Sequence, residues 1–202
     1  MIENRCKGNF MKQLYKIKRF ENLTTTELYE ILRVRAEVFV VEQTCIYQDL
    51  DEKDKKAYHF FAEEDGKVIA YVRVLDKGVS YPEISIGRVL VTESNRRQGL
   101  AREMMEKVID FIKNDLGENC IRISGQLYLQ AFYESLGFQT VSEVYLEDDI
   151  PHVEMLYGGG EIQFGIYACS PEDSSFKATF TNMQMMECQW MAHDGQAPDE
   201  EV

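Results

Sequence analysis

Arg96 and Arg97 stand directly before Gln98, Gly99, Leu100 and Ala101, at the head of an amphipathic run that continues to Ile112. The chain carries a formal net charge of −13, so arginines gathered at a helix start need a reason. The positive end of the helix dipole disfavours cations. It favours anions, and the first-turn N–H groups, which have no intrahelical acceptor, favour them too. Gly99 leaves no Cβ to block close approach, and Ala101 keeps the next contact small. Together these residues make a cradle for a pyrophosphate, with Arg96 and Arg97 adding fixed charge to the same phosphates.

Other elements must hold that cradle. "SIGRVLV" reads as a mostly apolar strand, "TESNRRQGLA" as a turn, and the helix follows. Upstream, "YKIKRF" alternates like a strand. Thr24 and Glu27 form a capping box for a helix that fades near "FVVEQ". "CIYQDLDEKDKKA" is polar and reads as a loop. "YHFFAEEDGKVIAYVRVLD" predicts a hairpin turning at Asp65-Gly66. Downstream come a short strand "CIRISGQ", a short helix "LQAFYESLGF" closed by Gly137, and two strands, "TVSEVYLED" and "HVEMLY".

Composition narrows the function. The 202 residues are 45% hydrophobic, enough for a substantial core. The acidic excess argues against nucleic acid or an anionic membrane surface as partner and is compatible with a cationic acceptor such as an amine. No apolar run approaches a membrane span. "MIENRCKGNFMKQLYKIKRF" has no apolar segment of the signal-peptide kind, and Met11 is an alternative start. The five cysteines form no C-x-x-C pair, so neither a metal site nor a redox motif is expected, and a reducing cytoplasm is.

Arg96-x-x-Gly99-x-Ala101 resembles the R/Q-x-x-G-x-G/A signature of the GNAT N-acetyltransferases, which bind acetyl-coenzyme A. "YLQAFYESLGF" resembles their second motif. "VFVVEQTCIYQDLDEKD", "IGRVLV" and "DDIPHVEM" resemble the ElaA-like branch of that superfamily. The resemblance covers residues 13–157. It implies an α/β (α+β) fold: a mixed central sheet splayed by a β-bulge, with flanking helices. It also implies acetyl transfer from acetyl-coenzyme A, as co-substrate, to an amine on a small molecule or peptide. A non-catalytic acyl-coenzyme A or partner-binding module is the rival reading.

Carried onto this chain, the resemblance makes Leu90 and Val91 backbone contacts to the pantetheine arm, which adds like a strand. Gln98, Gly99, Leu100, Ala101 and Arg102 become N–H donors to the phosphates. Tyr133 matches the tyrosine that protonates the departing thiolate, and the Val91 N–H could polarise the thioester oxygen. Glu42 and His152 are the two candidate bases; His59 is held lower, as a strand histidine. Gln43, Arg73 and Gln126 are candidates for the acceptor side. Arg73 and Arg88 lie on inner strands and need carboxylates, with Asp51 or Glu42 expected to serve. No histidine neighbours Cys45 or Cys120, which favours direct transfer over an acetyl-enzyme.

Residues 158–202 exceed the family pattern. They open on "GGG" and hold eight acids against one lysine. "FGIYACSPEDSSFKATFTNMQMMECQW" resembles the closing hairpin of a concanavalin-like β-sandwich domain of unknown function. A lone hairpin is marginal in water, so its apolar face either packs on the preceding domain, pairs with a second subunit in a homodimer, or belongs to a fusion remnant that stays loose.

Overall fold

Alternation along the strands builds a sheet with two distinct faces. The computed structural model describes residues 14–158. Its strands are β1 (Leu14–Arg19), β2 (Ala57–Glu64), β3 (Lys67–Leu75), β4 (Ile84–Val91), β5 (Ile121–Gln126), β6 (Phe138–Thr140), β7 (Tyr145–Glu147) and β8 (Ile150–Tyr157). The order is β1-β2-β3-β4-β5-β8-β6, and β7 also pairs with β8. Among the described strands only β4 and β5 run parallel. The crossover between them is the helix α2 (Leu100–Asn114), as a parallel pair requires.

One face carries Val72, Val74, Ile84, Ile86, Ile121 and Ile123 and packs under α2 through Met104, Met105, Val108 and Ile112. The other carries Phe61, Tyr71 and Leu90 and packs under α1 (Thr25–Arg35) through Ile31 and Val34, with Val38 beyond them. The capping box at Thr24 and Glu27 forms as expected. Glu27 also takes Lys16 and Lys18 from β1. Burial alone would raise its carboxyl, but the Lys18, Thr24 and Lys16 hydrogen bonds prevail and hold it at about 2. The fade near "FVVEQ" is a π-helical stretch, Ala36–Glu42, a form that recurs at functional sites. At the hairpin, Asp65 and Gly66 have φ of 50° and 75°, the sign of a type I′ turn.

The expected bulge lies on β4. Tyr71 pairs with Leu90, yet Arg73 pairs with Gly87, so β4 holds one extra residue. Ser85 and Gly87 face α1; Ile84, Ile86 and Val89 face α2. The extra residue is Arg88, with φ 53°. A regular strand would send Arg88 toward α2, and the bulge turns it to the α1 side. Pairing of β4 with β5 ends at Ile86 and Ile123. Beyond that point the two strands splay.

Three expectations need correction. "TVSEVYLED" is not one strand: β6 and β7 are three residues each and pair with different parts of β8. "CIYQDLDEKDKKA" is not merely a polar loop. It contains a 3₁₀ turn, Glu52–Lys56, and buries Asp49 and Asp54. Polarity suggested solvent, but buried arginines had already claimed those acids. Glu42 does not neutralise Arg73 or Arg88; it pairs with Arg96. The tail hairpin lies outside the described residues. Among those residues no helix is long and apolar enough to cross a membrane.

Candidate active site

Where β4 and β5 part, a cleft of about 880 Å³ passes through the sheet. Val91, Ala101, Phe132 and Tyr133 line it on the α2 side. Gln43, Arg73, Ser85, Arg88, Gln126 and His152 line it toward α1 and β8.

The α2 side carries the cradle. Gly99 caps α2 with φ 82°, ψ −2°, a left-handed conformation that costs any other residue energy. A Cβ there would meet nothing within 4 Å among the described residues. Glycine is therefore needed for its backbone angle, and the space above it is open to a ligand. The first helical bond runs from the Glu103 N–H to the Gly99 carbonyl, at 3.1 Å. The N–H groups of Gly99, Leu100, Ala101 and Arg102 precede it and have no intrahelical acceptor. Among the described residues no side chain caps the helix start. Arg97 and Gln98 are exposed beside them, and Arg102 donates to the Ser135 hydroxyl.

Arg96 takes a different position from Arg97. Its Nε–H donates to the Val91 carbonyl at 2.9 Å, and its Nη2 pairs with Glu42. It ties the end of β4 to the end of the π-helical stretch. Glu42, one of the candidate bases, is thus engaged by an arginine.

The open edge of β4 follows from ladder phase. The Thr92 N–H bonds the Ile69 carbonyl at 2.9 Å, so Thr92 and Leu90 turn their backbone groups toward β3. Val89 and Val91 turn theirs into the splay. Leu90, expected as a backbone contact to a pantetheine arm, is therefore not one: its backbone groups serve the ladder with β3, and its side chain joins the core under α1.

Tyr133 comes from the helix α3 (Gln130–Glu134) and is 5% exposed. Its ring packs edge-on against Phe132 and Phe138. Burial pushes its phenol above the ordinary value, and Tyr128 adds to the effect. The ring lies against Gly125, where a Cβ would come within 2.9 Å of Tyr133 Cε2. Gly125→Ala must therefore displace a packed ring. We expect it to lose about 1–3 kcal/mol, the range for overpacking, by urea melting; an unchanged midpoint would mean that the ring yields freely.

The other side carries His152, from β8. Its Nδ1 lies 2.7 Å from the Ile150 carbonyl. A carbonyl only accepts, so Nδ1 holds a proton, and in the neutral ring Nε2 is the accepting nitrogen. The ring stacks on Tyr145. Opposite it in the ladder, Gln126 donates to the Gln43 side chain at 3.2 Å, joining the end of β5 to the residue after the π-helical stretch. His59 lies elsewhere. It is fully buried, its Nε2 meeting the Asp54 carbonyl and its Nδ1 accepting from Tyr71. Burial lowers its pKa, and it serves architecture.

Arg73 joins a network the sequence showed only in part. It donates to Asp51 (2.6 Å) and Asp54 (2.8 Å). Arg35, 0% exposed, binds Asp49 and Asp54 at 2.9 and 2.8 Å. Arg88 binds Asp49 at 2.6 Å. Arg35, Asp49, Asp54, Ser85 and Gly125 were not anticipated. The spacing Asp49-x-Asp51-x-x-Asp54 before a strand bearing Arg73 was the available signal. Gly125 shares the α2-facing parity of Ile121 and Ile123. Among the described residues no cluster of metal-binding side chains occurs.

A sheet opened at a bulge, with a donor-rich helix start against the opening, defines an acyl-coenzyme A-dependent acyltransferase. Residues 24–157 match the acetyltransferase (GNAT) domain family, and the chain belongs to that family. It is 39% identical over 140 residues to a UPF0039 protein of Schizosaccharomyces pombe, spanning 68% of this chain and 92% of the relative. The crystal structure of an acyl-CoA N-acyltransferase from Pseudomonas aeruginosa superposes with a TM-score of 0.69 at 40% identity, covering 72% of this chain and 99% of that one. That of Escherichia coli ElaA gives 0.67 at 34%, covering 71% and 99%.

Proposed function

We propose that the protein is a cytoplasmic N-acetyltransferase moving an acetyl group from acetyl-coenzyme A to an amine in one direct step. The observation that carries this is the cleft's passage through the sheet. Ala101 at the helix start and the open edge of β4 line one side, and His152, Gln126 and Gln43 line the other. Two reactants can reach the same strand edge from opposite faces.

The open space over Gly99 and the uncapped N–H groups of Leu100, Ala101 and Arg102 fit a pyrophosphate, with Arg97 adding charge. Arg96 fixes the end of β4 and contributes charge at the rim. Val89 offers strand-like hydrogen bonds to a pantetheine arm, while the Val91 carbonyl is held by Arg96. Acetyl-coenzyme A supplies the activated acyl group as a thioester. His152 Nε2 takes a proton from the incoming ammonium. Tyr133 gives its hydroxyl proton to the departing sulfur. The Val91 N–H points into the splay, where it can stabilise a developing oxyanion. Glu42 holds Arg96, and Gln126 and Gln43 orient the acceptor. Cys45 lines the cleft but has no histidine partner among the described residues. Burial raises the Cys120 thiol, which disfavours a thiolate nucleophile. Both are free thiols, in keeping with a reducing compartment.

The test is an amine screen with acetyl-coenzyme A, read by thiol release, beside thermal melting. Acetyl-coenzyme A should raise the melting temperature by mass action. Gly99→Glu should abolish that rise, because a carboxylate would occupy the phosphate space and strain the left-handed cap. An undiminished rise would refute the cradle. A rise without turnover on any amine would support an acyl-coenzyme A sensor instead.

A further inference from the structure

The α1-facing wall of the cleft holds several hydrogen-bond donors and too few acceptors. Arg73 Nε and Ser85 Oγ are buried with no hydrogen-bond partner among the described residues. Their residues are only 4% and 3% exposed, and both line the cleft. Leaving such groups unmet costs free energy. They are also neighbours. Arg73 pairs with Gly87 and Leu75 with Ser85, so Arg73 and Ser85 are diagonal partners on one face of the sheet.

Arg88 adds to the same wall. Only its Nε donates, to Asp49. Its terminal nitrogens have no acceptor among the described residues. The guanidinium lies between Phe39 and Tyr47, 5.9 and 5.6 Å from their ring centroids. Those rings and Asp49 fix its direction, and the bulge is what brings it to this face. Arg35, Arg73 and Arg88 are balanced by Asp49, Asp51 and Asp54. Lys53 also lines the cleft, and so do Glu147 and Asp148, so net charge does not select an anion there; unmet donors do. Asp51, on the same wall, has both its oxygens held by Arg73, at 2.6 and 3.1 Å.

We infer that this wall is a carboxylate-binding subsite, and that the acceptor is an amine bearing a carboxylate, held by Arg88, Ser85 and Arg73 Nε. An ionised carboxylate only accepts hydrogen bonds, which is what arginine N–H groups and a free hydroxyl need. A carboxamide would bring its own donors against them. Across the splay stand His152 and Glu147, which suit the ammonium end of the same molecule. Naming the acceptor rests on the transferase reading; the subsite itself does not.

The experiment pairs α-, β- and ω-amino acids with their carboxamides. Each pair is tested for thiol release with acetyl-coenzyme A, and for a melting shift in the presence of coenzyme A. At least one acid should exceed its amide roughly tenfold in kcat/KM, the scale of one charge-assisted hydrogen bond, and should alone shift melting. Ser85→Ala should raise KM for that acid roughly tenfold with little change in kcat, while the acetyl-coenzyme A melting shift persists. Arg88→Lys, which keeps the charge, should retain part of the preference. Equal behaviour of acids and amides, or inorganic phosphate shifting melting as well as the acids, would overturn the subsite. So would a preference undiminished in Ser85→Ala. Melting shifts specific to acids without transfer to any amine would leave the subsite standing and remove the transferase reading.

Discussion

Tyr133→Phe is expected to slow acetyl transfer by roughly two orders of magnitude, the scale of one general acid, while acetyl-coenzyme A still raises the melting temperature. The substitution keeps the ring that packs on Phe132 and Phe138. It removes only the hydroxyl, so stability and cofactor binding should hold. Burial raises the phenol, which keeps it protonated through the neutral range, the form an acid needs. The same dry surroundings make a departing thiolate more basic, so a proton donor matters more there than in water. Wild-type turnover should therefore show no alkaline decline near neutrality from this group. Stopped-flow thiol release and thermal shift, measured on the same preparation, separate chemistry from binding. Full turnover in the variant would assign thiolate protonation to water or to another residue.

Arg35→Met is expected to cost about 3–5 kcal/mol, the penalty for breaking a buried ion pair from one side. Methionine fills much of the volume but leaves Asp49 and Asp54, at 2% and 9% side-chain exposure, short of one partner each. Arg88 and Arg73 still reach them, which sets the lower end of the range. Urea titration gives the loss directly. A change below about 1 kcal/mol, the typical surface-pair value, would mean that water enters and solvates the acids. The pH dependence has a definite sign. Burial, the largest single influence, tends to raise Asp49 and Asp51, but their partners together (Arg35, Arg88 and Tyr47 for Asp49; Arg73, Arg88 and Arg35 for Asp51) lower both. Depressed carboxyls stabilise the fold above their unfolded values near 4 and lose that contribution as pH falls toward their folded values. Buried, neutral His59 acts in the same direction from a higher pH. Its folded pKa is lowered, so the unfolded chain binds the extra proton and stability declines below about pH 6.5. Acid unfolding should therefore begin with His59 and steepen with the aspartates.

The sequence by itself determined the elements whose causes are local. The capping box, the Asp65-Gly66 turn and the amphipathic face of α2 depend on residues a few positions apart, and each formed where the pattern placed it. Gly99 at the helix start was legible for the same reason, although its requirement proved to be a backbone angle more than a missing Cβ. The family was legible because its motifs are short and contiguous. Tertiary structure alone decided the rest. Arg88 reaches the cleft only because one extra residue in β4 reverses its side, and a bulge depends on the register against β3. Asp49 and Asp54 look like solvated acids until Arg35 and Arg73 arrive from other elements. Glu42 reads as a base until Arg96, 54 residues away, engages it. Ser85 stands out only once its neighbours are seen to leave its hydroxyl without an acceptor. Hydrophobic pattern and turn chemistry act along the chain; charge pairing and hydrogen-bond satisfaction act through space, and only the folded chain brings those partners together.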